Sequence, residues 1–104
     1  MGSAGILDKM RARADQFFRN RQFDQAAAAY REILQIVPSD FDAIHHLGVI
    51  AVQLSHMEEG RKLLNAAVGV DGSKPEVWLH LGMALQHLGR VLQAGPGVPL
   101  DRSR

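Results

Sequence analysis

Five histidines, His45, His46, His56, His80 and His87, are the residues of this chain best equipped for chemistry. Imidazole binds transition metals, relays protons and changes charge between about pH 5 and 8. His46 and His80 stand in equivalent places 34 residues apart, which raises the question of a shared ion. Neighbouring helices run about 8 to 10 Å from one another, too far for two equivalent side chains to hold one metal. The spacing therefore favours polar packing between helices, on a surface whose affinity changes between about pH 5 and 7. Ser55, His56, Glu58 and Glu59 form a second cluster that holds a nucleophile, a base and two carboxylates. A short turn followed by acids at the positive end of a helix accounts for all four. The chain carries no phosphate-cradling glycine loop, no zinc-binding helix pattern and no serine nucleophile elbow. The expectation is a protein that is not an enzyme and has no catalytic residues, metal or cofactor.

Composition narrows the partners. Twelve basic and eleven acidic residues leave a net charge of +1, which gives no general affinity for nucleic acid or an anionic membrane. With 46% hydrophobic and 22% charged residues, 104 residues suffice for one small globular domain. The absence of cysteine excludes disulfides, thiolate zinc sites and cysteine nucleophiles, and fits a reducing compartment. Neither a signal-type start nor a run of about 18 apolar residues is present, so a cytoplasmic location is expected.

A succession of helices must position these side chains. Ile6, Leu7, Met10, Ala14, Phe17 and Phe18 recur at three- and four-residue intervals, which predicts a first helix up to about Arg19 after a disordered tail at 1–5. Asn20-Arg21-Gln22 forms a turn. A second periodic stretch runs from Phe23 through Ala26, Ala27, Tyr30, Ile33 and Leu34 to Val37, and Pro38 ends it. Ser39 or Asp40 caps a third helix with Ile44, Leu47, Gly48, Ala51 and Leu54 as its stripe. A fourth begins near Met57, turns Leu63, Leu64, Ala67 and Val68 inward and stops around Asp71-Gly72-Ser73. Pro75 opens a fifth, whose stripe is Trp78, Leu81, Gly82, Leu85 and Leu88 up to Gly89.

The third and fifth helices share one pattern. Ile44-x-x-Leu47-Gly48-x-x-Ala51 returns 34 residues later as Trp78-x-x-Leu81-Gly82-x-x-Leu85. This resembles the tetratricopeptide repeat, a helical hairpin read as Trp-x-x-Leu-Gly-x-x-Tyr, then Ala-x-x-x-Phe, then Pro. Met10, Ala14 and Phe17, followed by Ala26-x-x-x-Tyr30 and Pro38, fill the slots of a first unit, with Arg13 where leucine is usual. The second unit continues with Gly60-x-x-x-Leu64 and Ala67, and has Gly72 in place of proline. The third has only its first helix, because Gly95-Pro96-Gly97-Val98-Pro99 cannot form another. The resemblance implies an all-α fold of about five helices, a right-handed superhelical stack of antiparallel pairs. Its units are repeat 1 at about 7–38, repeat 2 at about 41–72 and a half repeat 3 at about 75–94, within a domain at 6–94 and before a flexible tail at 95–104.

The same resemblance implies a protein–protein interaction module, an adaptor or scaffold, whose first helices line a concave groove for a peptide or helix. The groove positions are Asp8, Arg11, Asp15, His45, Val49, Val52, Glu76, Leu79 and Met83. In that register Val49, Val52, Leu79 and Met83 have no core role and serve as apolar anchors. One branch of the family grips the acidic carboxy-terminus of heat-shock chaperones with lysine, two asparagines, lysine and arginine. The matching positions here read Arg11, Asp15, His46, Glu76 and His80, and the two carboxylates repel such a ligand. The unfinished third unit supports an alternative, a self-assembling repeat that forms a homodimer or larger oligomer through Trp78, Leu81, Leu85 and Leu88. An adaptor segment of a larger enzyme is a third reading, by family analogy alone.

Overall fold

The computed structural model describes the backbone of residues 2–94 and the side chains of residues 5–89. Five α-helices follow in chain order: α1 (Gly2–Arg19), α2 (Phe23–Ile36), α3 (Phe41–Gln53), α4 (Met57–Val70) and α5 (Pro75–Ala94). Each packs against the next, and α3 also touches α5, so the described residues form a stack of antiparallel hairpins. This is the all-α repeat architecture expected from the 34-residue pattern. α1 begins four residues before Ile6, where a disordered tail was expected. Once a helix is nucleated, each further residue adds a hydrogen bond at little cost, and Ser3 and Ala4 accept that extension. The tail expected at 95–104 lies outside the described residues.

The turns repeat as faithfully as the helices. Arg21 and Ser55, 34 residues apart, both adopt left-handed backbone, with φ of 59° and 67°. After them the Gln22 N–H donates to the Phe17 carbonyl at 2.9 Å, and the His56 N–H to the Ala51 carbonyl at 2.7 Å. Shorter-range partners match too, Arg21 to Phe18 and Ser55 to Val52, each at 3.0 Å. These are paired helix-ending bonds of the Schellman kind, which satisfy the last carbonyls of α1 and α3. Gly89 occupies the same place in the third unit, yet α5 runs straight through it to Ala94. Between hairpins, Asp40 and not Ser39 caps α3, its carboxylate accepting from the Ala43 N–H at 2.9 Å.

Two apolar clusters hold the stack. Ala14, Ala26, Tyr30, Ile33, Ala43, Leu47 and Ile50 join α1, α2 and α3. Ile44, Leu64, Ala67, Val77, Leu81 and Ala84 join α3, α4 and α5. Small residues set how closely the helices approach. A Cβ on Gly48 would stand 2.8 Å from Cδ2 of Leu64, and one on Gly60 would stand 2.8 Å from Cγ2 of Val52.

Candidate functional site

Arg11, Asp15 and His45, three of the expected groove positions, are engaged in polar contacts between helices. Arg11 on α1 forms a two-pronged ion pair with Asp40, at 2.8 and 2.9 Å, and lies 3.9 Å from Asp42. The Arg11 guanidinium holds the Asp40 carboxyl below the usual carboxylate range, helped by the Ala43 N–H and opposed by burial. One residue therefore both caps α3 and ties it to α1.

Further along, Tyr30 is fully buried, and its hydroxyl donates to Asp15 on α1. Burial, with the Asp15 bond second, pushes the phenol well above its ordinary pKa. The His46 ring stacks on Tyr30 at 4.9 Å between centroids, 14° from parallel, and meets the edge of Phe18. Its Nδ1 lies 2.7 Å from the Asp42 carbonyl, which makes Nδ1 the protonated nitrogen.

His45 and His80 bridge α3 and α5, with Nε2 of the first 3.1 Å from Nδ1 of the second. Burial, then the charges of His80 and His46, lower the His45 pKa, while Glu76 and Asp42 act in the opposite sense. His46 and His80 are equivalent in sequence, but His46 stacks on Tyr30 and it is His45 that meets His80. Equivalent side chains in successive units point the same way, so contact arises between residues 35 apart. No group of three or more His, Cys, Asp or Glu side chains able to hold a metal gathers among the described residues.

The other expected groove residues divide. Asp8 and Glu76 are exposed, and Leu79 and Met83 are 63% and 50% exposed on α5. Val49, expected as an apolar anchor, is buried. Val52 packs on the second core cluster and against Gly60, so it too is a packing residue. The reason is position in the stack: α3 has helices on both sides, whereas Met83, the counterpart of Val49, sits on the last described helix. Among the expected self-association residues, Trp78 and Leu85 are about half exposed, but Leu81 is 5% exposed within the core and Leu88 is half-buried. A cleft of about 360 Å³ between α2, α3 and α4 had no sequence forecast; Asp24, Arg31, His56 and Glu59 are among its lining residues, with Leu47 and Ile50. Its walls come from three separate helices, so no local pattern marks it.

A family model described as tetratricopeptide repeat matches residues 17–82. This chain belongs to the tetratricopeptide-repeat family. No curated protein matches it. Tetratricopeptide repeats generally serve protein–protein interaction and are typically non-catalytic. The matched segment takes in the Tyr30–His46 stack and the His45–His80 bridge, together with Asp40 and Asp42, the partners of Arg11. None of the described helices is long and apolar enough to cross a membrane.

Proposed function

We propose that this tetratricopeptide-repeat domain is a cytoplasmic, non-catalytic adaptor that binds a peptide or short helix along the concave face formed by α1, α3 and α5. The observation that carries this reading is the exposed pair Leu79 and Met83, four residues apart on α5. At that spacing they lie side by side on the helix and offer two adjacent apolar contacts. Glu76 and His80, on the same helix, adjoin them and supply polar contacts for a ligand backbone.

The same geometry argues against an acidic-tail ligand. Arg11, the one permanent cation at the five clamp positions, is already spent on Asp40 and Asp42. His45 stays neutral at physiological pH, and Asp15 and Glu76 repel a carboxylate. A ligand with apolar anchors and little negative charge fits instead. The reading is tested by selecting peptides from a random library on the intact chain and measuring their affinity by calorimetry. Leu79→Glu and Met83→Glu are each expected to weaken a selected peptide at least about tenfold, as loss of a central apolar anchor does. Selected peptides that are uniformly acidic, or indifferent to both substitutions, would overturn it.

A further inference from the structure

α5 closes the described stack with one face open. Successive residues of a helix turn by about 100°, so Trp78, Gly82, Leu85 and Gly89 fall on a single stripe. Trp78 is 52% exposed and Leu85 48%. A Cβ placed on Gly82 or on Gly89 would meet no described atom within 4 Å. The stripe thus alternates a large apolar side chain with bare backbone. Val77, Leu81 and Ala84 point away from it into the core, and Leu79 and Met83 occupy the adjoining groove flank. Pro75 and Gln86 fall between stripe and flank, so the whole open arc from Pro75 to Gly89 is uncharged.

The order large, small, large, small complements itself when reversed. If two α5 helices cross antiparallel about a two-fold axis between Met83 and Ala84, Trp78 of one faces Gly89 of the other. Leu85 then faces Gly82, and the arrangement is symmetric, as a closed dimer requires. Inside the protomer Leu64 already packs this way against Gly48, the counterpart of Gly82. We infer that a second copy of this chain seats on the stripe, giving an antiparallel α5–α5 homodimer.

Two further observations support this occupant. The Trp78 Nε1–H donates to the Gly72 carbonyl at 2.7 Å, which holds the indole in place before any partner arrives, so little rotamer freedom is lost on contact. And α5 continues straight through Gly89, where the first two units turn, so the ridge extends the full length of the stripe. An uncharged face also puts no like charges in opposition across the two-fold axis. A single pair of crossing helices covers less than the roughly 1,200 Å² of standard stable complexes, which places the dimer in the weak, concentration-dependent class.

Sedimentation velocity and Trp78 fluorescence between about 5 and 500 µM test the proposal, since a weak dimer dissociates within that range. Trp78 is the chain's one tryptophan, so its emission reports on this face alone. The expected result is a rise in sedimentation coefficient together with a blue shift as concentration increases. Leu85→Glu and Gly82→Leu should each weaken association at least about tenfold. Gly82→Leu should also raise the Tm of the monomer, because leucine is the better helix former, so lost pairing is not mistaken for lost folding. A strict monomer over the whole range overturns the proposal. A dimer that both substitutions leave intact overturns it as well. Peptide binding that depends on Leu79 and Met83 is unaffected by either outcome, so the two readings fail separately.

Discussion

Leu64 packs its Cδ2 atom 2.8 Å from the point where a Cβ would stand on Gly48. The hairpin of α3 and α4 is close because that Cβ is missing, whereas at Gly82, its counterpart, no described atom stands within 4 Å of that point. The same substitution should therefore have opposite effects at the two sites. Gly48→Ala gains about 1 kcal/mol of helix propensity but overpacks the core at a typical cost of about 1 to 3 kcal/mol, so a net loss of about 1 kcal/mol is expected. Gly82→Ala gains the propensity with nothing to displace, and should stabilise by up to about 1 kcal/mol. Urea denaturation of both variants at low micromolar concentration checks the pair; equal signs would refute the packing argument.

Asp40 combines two functions that substitution can separate. Asp40→Ala removes both the α3 cap and the Arg11 pair, and caps alone are worth about 1 kcal/mol. Asp40→Asn keeps an oxygen for the Ala43 N–H while discarding the charge. The expected order of stability is wild type, then Asn, then Ala, with Ala about 1 to 2 kcal/mol below wild type. Chemical denaturation at low and high salt measures this, and the wild type should lose more stability than either variant as salt rises. Identical losses for Asn and Ala would assign the whole effect to the ion pair.

How much of this was legible beforehand depends on the range of the contact. The 34-residue spacing and the helices show in apolar periodicity, because each helix buries one face and that face repeats every three or four residues. Asp40 as a cap is equally local. The Arg11–Asp40 pair joins residues 29 apart, and nothing near either residue announces it. Between His45 and His46 the difference is a single residue, or about 100° of rotation, which decides whether the ring meets His80 or Tyr30. Val49 and Met83 hold equivalent slots, yet one is buried and the other half exposed. Their difference lies in how many helices flank α3 and α5, a property of the stack that no residue encodes alone.

Tyr30 is the chain's single tyrosine, so its ionisation can be followed without interference. Burial and the bond to Asp15 raise its pKa, and the phenolate absorbance should therefore not develop at about pH 10, where a free tyrosine ionises. It should develop together with loss of helical circular dichroism. A phenolate signal at about pH 10 from the folded chain would show the hydroxyl to be accessible. Tyr30→Phe removes a hydrogen bond to a charged acceptor, and a loss of about 1.5 to 3 kcal/mol is expected.

His45 gives the stack an acid-sensitive joint. Its folded pKa lies below its unfolded value, so the unfolded chain takes up the proton more readily. The resulting stability is fully present above about pH 6.5 and is lost as the pH falls from there towards the folded pKa. Asp40 acts in a lower window, since its depressed pKa contributes stability that is present above about pH 3.9 and lost below that. The groups that bear on His45 are His80 and Glu76 from α5 and His46 and Asp42 from α3; the histidines oppose its protonation and the carboxylates favour it. Because burial is the largest cause, the balance still disfavours the charged ring. The Tm should therefore fall between about pH 7.5 and 5.5, and His45→Gln, which can still bond to His80 but does not titrate, should flatten that fall. Calorimetry of both proteins across this range is the check, and parallel curves would move the acid sensitivity away from the α3–α5 bridge.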